Sequence, residues 1–278
     1  MNYHPINSIS PVDGRYASQV EKLSAIFSEH ALIRYRVYVE VEYFIALSEI
    51  PLPQLSSVNE ADKIFLRKIV SGFSVQDSLR VKEIERTTNH DVKAVEYFIK
   101  EKIAGTDLEK KGEFIHFGLT SQDINNTAVP LSLLEGVRDV YLPKLSSVLN
   151  KLTEMAREWA DIPMLARTHG QPASPTRVGK EIEVFVVRLK EQIESLEHVK
   201  FSAKFGGATG NFNAHHIAYP EIDWNVFAEK FVTGKLGLSR SYPTTQIDHY
   251  DHLAALFHNL LRINTILIDL CRDRKSVV

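Results

Sequence analysis

The sequence predicts an all-α protein, an N-terminal helical domain followed by a bundle of long helices. Three observations carry this. Apolar residues recur at three- and four-residue intervals over most of the 278 positions. Three periodic segments in the second half each exceed the ~10–14 residues of an average globular helix. No strand-rich region competes, since only short stretches such as residues 114–117 could extend.

The first element is a helix over 19–50, where Leu23, Ile26, Phe27, Leu32, Ile33, Val37, Val41, Phe44, Ile45 and Leu47 keep helical spacing. Two prolines and a Ser/Asn-rich approach then make a loop before a second helix over 61–73. A third begins near Asp77. The cap-type residues Thr87, Thr88, Asn89, His90 and Asp91 interrupt it before Val92, Val95, Phe98 and Ile99 resume the period. A Gly/Asp/Lys-rich passage over 105–112 places a domain border near Glu113, giving an N-terminal helical domain at 1–112 and a long-helix domain at 113–278. The long segments run over about 121–160, 175–204 and 248–273, as in a bundle or an oligomer core where each helix finds partners along its length.

Composition excludes several classes. Hydrophobic residues at 44% and charged residues at 24% are ordinary soluble values. A net charge of −2 and a pI near 6.6 give no basic field for nucleic acid, leaving room only for a local cationic site for a phosphate. The single cysteine, Cys271, forms no internal disulfide or cysteine metal site and suits a reducing cytoplasm. The first sixteen residues have neither the basic nor the apolar region of a signal peptide. The most apolar run, 260–270, is interrupted by Arg262 and Asn264 and falls short of the ~20 residues that span a bilayer. It reads as a buried helix, with no membrane partner.

Chemistry can sit at five polar breaks: SPVDGRY (10–16), ERTTNHDVK (85–93), GLTSQDINN (118–126), RTHGQPASP (167–175) and GGATGNFNAHH (206–216). Thr120 and Asp123 form a T-x-x-D capping pattern, which is either a plain helix start or a helix N-terminus open to a carboxylate or phosphate. His169 lies in a turn held open by glycine and proline; it is a proton-transfer candidate or a solvated loop histidine. His90 is a helix cap or a histidine oriented by Asp91. Gly206, Gly207 and Gly210 do not make a P-loop, since G-x-x-x-x-G-K-[ST] and its preceding strand are absent. His215 and His216 lack an H-E-x-x-H pattern or acidic co-ligands, so no metal site is expected. No G-x-S-x-G elbow is present.

SPVDGRY, the stretch ERTTNHDVKAVEYF (85–98) and RTHGQPASP together resemble the adenylosuccinate lyase family. The match keeps order and spacing from about Ser8 to Asp273, through TSQDINN, GGATGNFNAHHIAYPEIDW and YPTTQI. Fumarases, aspartases and argininosuccinate lyases share the architecture but not this combination. The resemblance implies a carbon–nitrogen lyase of purine nucleotide biosynthesis. It would eliminate fumarate from adenylosuccinate, giving AMP, and from the succinyl-aminoimidazole-carboxamide ribonucleotide, without metal or organic cofactor. By position, Arg15 and Tyr16 would hold the nucleotide's phosphate and ribose end. Asn89, His90 and Asp91 would bind substrate and help orient His169, the general acid, with Thr168 supporting its turn. Thr120 and Ser121 would meet a succinyl carboxylate, and Gln246 would contact substrate near the reacting centre. A homotetramer is implied, its central bundle built from four subunits' long helices.

The family carries its base, a serine, on a loop resembling S-S-x-M-P-x-K-x-N-P, and no such segment occurs in these residues. The last five residues look foreign to the family, and its fourth and fifth central helices and small C-terminal domain are not represented. The expectation is therefore a truncated chain, an incomplete bundle of the fumarase/aspartase type with little activity alone. The alternative is a non-catalytic helical fragment that associates with intact lyase subunits.

Overall fold

The computed structural model describes residues 5–275; the readings made on residues 1–4 and 276–278 lie outside it. Helices dominate, as predicted, and the strands are short. Helix α1 (Glu21–Phe27) ends where Ser28 accepts the Ala31 amide at 3.2 Å and starts α2 (Glu29–Ser48), so the helix expected over 19–50 is broken by an N-cap. Buried on nearly every face, α2 runs through the core carrying Arg36, Glu40 and Glu42. Helices α3 (Glu60–Ser71) and α4 (Val75–Thr88) each start at a capping box, Asn59 with Asp62 and Ser74 with Asp77. Asn89, at φ +53, ends α4, and His90 caps α5 (Asp91–Ile103).

The helix expected over 121–160 is α6 (Ser121–Glu135), a π-helical stretch Gly136–Tyr141, and α7 (Leu142–Glu158). An antiparallel hairpin follows, β1 (Pro163–Thr168) with β2 (Gln171–Arg177), then α8 (Val178–Glu197). The segment expected as one helix over 175–204 thus begins and ends extended. Strand β3 (Ser202–Lys204) pairs in parallel with β4 (Ser239–Ser241). Between them lie α9 (Asn213–Ala218), α10 (Trp224–Glu229) and a π-helical stretch Lys230–Lys235. Helix α11 (Asp251–Lys275) is last.

By internal contact the chain forms two compact units, 1–136 with 201–249, and 137–200 with 250–278. This partition by contact joins separated stretches, whereas the border placed near Glu113 divides the chain consecutively. The first unit's core is α2 surrounded by Phe98, Phe205, Phe212, Trp224 and Phe231, all essentially buried. The second packs α7, α8 and α11. A Cβ on Gly179 would lie 2.3 Å from the Ala156 carbonyl oxygen, so glycine sets how closely α8 approaches α7.

Helix α11 corrects the reading of its segment as a buried helix. Over Asp251–Asp273 it is long and apolar enough to cross a membrane by length and composition, and only 22% of its most apolar 18-residue window is buried. Phe257, Leu261 and Ile268 are 53%, 62% and 51% exposed. The apolar period continues through Ala254–Phe257, beyond the run that the sequence reading weighed.

Candidate active site

Helix α2 positions most of the polar breaks. Residues 36, 40 and 43 stand at i, i+4 and i+7, on one helix face, and each holds a different segment. The Arg36 guanidinium bridges Asp91 at 2.7 Å and donates to the Asn125 side-chain oxygen at 2.9 Å, joining the start of α5 to the first turns of α6. The Glu40 carboxylate meets His116 Nδ1 at 2.5 Å. The Tyr43 hydroxyl donates to the Phe117 carbonyl at 2.7 Å and lies 2.8 Å from His215 Nε2.

These bonds set the electrostatics. Burial pushes the Tyr43 phenol well above its ordinary value, and the carboxylates of Asp123 and Glu40 add to this. Burial alone would lower the His116 imidazole, but Glu40 beside it raises it above the usual histidine value. His215, wholly inside, is pushed down to about 4 by desolvation and stays neutral. It is a core histidine. Among the described residues no group of three or more His, Cys, Asp or Glu could hold a metal.

The break at 87–91 is a paired helix end and helix start. His90 Nδ1 accepts the Lys93 amide at 3.1 Å, so the neutral ring carries its proton on Nε2. His90 Nδ1 and the nearer Asp91 oxygen, 3.6 Å apart, are then both acceptors, and Asp91 turns to Arg36 instead. Asn89 and His90 are exposed and Asp91 is partly exposed at this corner.

At the start of α6, Asp123 lies inside rather than at the surface. Its carboxylate accepts from Thr120 N (2.8 Å), Gly206 N (2.8 Å), Gly207 N (3.1 Å) and Lys204 Nζ (2.6 Å). Asp123 and Lys204 are both 0% exposed, and Lys204 also donates to the Gly207 carbonyl at 2.6 Å. Two of the three glycines rejected as a phosphate loop, Gly206 and Gly207, thus give their amides to a buried carboxylate. Gly210, at φ +81, comes so close to the next loop that a Cβ would lie 2.2 Å from the Thr244 carbonyl oxygen. The backbone of 206–210 therefore links the Thr120–Ser121 helix start to the loop that carries exposed Gln246. Sequence reasoning missed Asp123 and Lys204 as a pair. The available signal was a lysine inside the apolar run FSAKF, where a charge needs a partner.

His169 and Gly170 form the two-residue turn of the β1–β2 hairpin, with Thr168 opposite Gln171. Both turn residues have positive φ, +48 and +74, as a hairpin turn with both central residues left-handed requires. The imidazole is thereby held out at the exposed tip. Arg15 and Tyr16 sit on an exposed turn, the guanidinium 5.4 Å from the Tyr16 ring centroid. The first unit thus carries Arg15, Tyr16, Asn89, His90, Asp91, Thr120, Ser121 and Gln246, and the second carries Thr168 and His169.

Known proteins are similar to this chain in sequence and in fold. The lyase family profile matches residues 14–275. The chain is 58% identical to the adenylosuccinate lyase of Dictyostelium discoideum over 96% of its own length and 59% of that protein. It is 48% identical to that of Vibrio cholerae and 45% to that of Escherichia coli K12, each over 98% of this chain and 60% of the relative. The chain therefore spans about three-fifths of the length of these curated relatives. Its fold is similar to a fumarate lyase of Mesorhizobium (TM-score 0.76, 21% identity, 92% of this chain, 57% of that one). It is also similar to β-carboxy-cis,cis-muconate cycloisomerase of Acinetobacter calcoaceticus (TM-score 0.75, 18% identity, 92% and 57%). The chain belongs to the lyase family.

Proposed function

We propose that this chain furnishes the proton donor and much of the substrate-holding wall of an adenylosuccinate lyase. That enzyme would release fumarate from adenylosuccinate, leaving AMP, and from the succinyl-aminoimidazole-carboxamide ribonucleotide. The observation that carries the reading is the convergence of polar segments on α6. Arg36 ties Asp91 to Asn125, and Asp123 ties the helix start to the loop that packs beside Gln246.

The reaction breaks a C–N bond by β-elimination. A base removes a proton beside a carboxylate, an acid protonates the departing nitrogen, and fixed donors hold the charge that builds on the carboxylate. No metal or organic cofactor is required. In this reading His169 is the acid, since an imidazole can both hold and give up a proton and the hairpin tip leaves it reachable. Thr168 supports the turn. Thr120 and Ser121 meet a succinyl carboxylate at the positive end of α6. Arg15 and Tyr16 take the phosphate and ribose end, Asn89, His90 and Asp91 line the substrate, His90 offering its Nε2 proton, and Gln246 contacts it near the reacting carbon. The long helices, with the apolar surface of α11 left open, fit a homotetramer assembled along them, in the cytoplasm. The border near Glu113 is kept as the division between the N-terminal and long-helix domains.

Low turnover by these 278 residues alone is part of the proposal, because they contain no segment resembling the family's serine loop. Following the loss of adenylosuccinate absorbance with the purified chain tests this; turnover near that of an intact relative would overturn it. The exposed Phe257, Leu261 and Ile268 favour a second reading, a non-catalytic helical fragment that binds intact lyase subunits. Its mark is stable association with such subunits and no gain of activity on mixing.

A further inference from the structure

Among the charged groups that α2 buries, Glu40 is the most enclosed, and the proposed elimination does not use it. Glu40 is 0% exposed, its Oε1 bonded to His116, its Oε2 buried without a hydrogen-bond partner. A buried carboxylate is costly unless paired, and the paired residue is itself unusual. His116 has φ +61, a left-handed conformation that a non-glycine residue keeps only when its surroundings impose it. From there the chain passes directly into the helix start. The Phe117 carbonyl is held by Tyr43, the Leu119 amide donates to the His116 carbonyl at 3.2 Å, and Thr120 and Ser121 open α6. Gly118, at φ +66, packs so tightly on the His215 ring that a Cβ would lie 2.5 Å from it. Two side chains of α2 thus fix this strap, and only the contact from Glu40 is ionic.

We propose that Glu40 is a positioning residue, whose ion pair with His116 holds residues 116–120 in the conformation that presents the first turn of α6 to an anionic substrate group. This rests on the lyase reading and adds to it a residue outside the polar breaks. The acids facing His116 are Glu40 from α2, Glu96 from α5 and Asp123 from α6. Lys93 and Lys100 bind Glu96, and Lys204 binds Asp123, which leaves Glu40 as the acid that His116 balances. The contact is ionic below the raised titration point of His116 and loses its charge as pH rises through it.

The test uses the whole chain across a pH series that spans the titration of the His116 ring, followed by NMR. Amide hydrogen exchange of residues 117–121 and calorimetric binding of adenylosuccinate are measured in parallel. In the wild type, protection of these amides relative to their intrinsic exchange at the same pH should fall, and affinity drop about tenfold, as His116 loses its proton, the order of one hydrogen bond to a charged group. Glu40→Gln should show the weakened state at every pH, and Glu40→Asp should restore part of the pH step. Protection and affinity that stay level through the wild-type titration would overturn the proposal, and this arm needs no variant to fold. Where the wild-type chain binds no adenylosuccinate at any pH, the protection profile decides the role of Glu40 by itself, and the lyase reading is judged separately by fumarate release from the chain completed with the rest of a relative.

Discussion

Replacing Lys204 with methionine tests the buried junction at the start of α6. The substitution keeps most of the side-chain volume and removes the ammonium that lies 2.6 Å from both Asp123 and the Gly207 carbonyl, at a place with no solvent exposure. Breaking one partner from a buried ion pair costs about 3–5 kcal/mol, because the other charge is left uncompensated. Asp123 would retain the amides of Thr120, Gly206 and Gly207, so the lower end, about 3 kcal/mol, is expected. Trp224 is fully buried in the same unit. Its fluorescence in a Trp159→Phe background reads urea unfolding of that unit. Adding Asp123→Asn to Lys204→Met removes the orphaned charge and keeps a carbonyl acceptor for the glycine amides, so the double variant should recover about half the loss. A Lys204→Met variant within about 1 kcal/mol of wild type, or a double variant that simply sums two losses, would refute the claim that this pair fixes the helix start.

Two further outcomes follow from the same unit. His215 has a depressed folded pKa of about 4 against an ordinary 6.5. Its contribution to stability is therefore fully present above about pH 6.5 and is lost as pH falls toward 4, the loss reaching about 2 kcal/mol by about pH 5. The difference between wild-type and His215→Gln stability curves against pH isolates it, and parallel curves would contradict the burial argument. Gly210→Ala should cost roughly 2 kcal/mol or more, since its φ is +81 and the new Cβ meets the Thr244 carbonyl. Gly234→Ala, where a Cβ meets nothing within 4 Å, should stay within about 1 kcal/mol; equal melting shifts for the two would refute the close approach.

Much of the fold was legible because helical period and cap chemistry are local. Val92, Val95, Phe98 and Ile99 are buried as their spacing requires, and the cap-type residues around Asn89 and His90 do end one helix and start the next. Other features left no local trace. Phe27 and Leu32 keep the apolar period across the break at Ser28, so only the hydroxyl signals a new helix. The β1–β2 hairpin holds Pro163, Pro172 and Pro175 and buries little, so it lacks the apolar alternation that marks a strand. The turn residues His169 and Gly170 were visible, but the strands they join were not. The Asp123–Lys204 pair spans 81 positions and Glu40–His116 spans 76. Such contacts depend on β3 packing against α6 and on residue 116 meeting α2 in three dimensions, which no spacing rule within one segment can report.

The central claim, that this chain supplies the acid and the substrate wall of an adenylosuccinate lyase, is tested most directly by completing it. Residues 1–273 would be fused to the remaining two-fifths of the Dictyostelium lyase, to which the chain is 58% identical, and release of fumarate from adenylosuccinate measured. The account predicts turnover by this chimera and a loss of about 10²–10⁴-fold in kcat on His169→Gln, with the fold unchanged. A folded chimera that cleaves nothing, or a His169→Gln chimera with undiminished kcat, would contradict it.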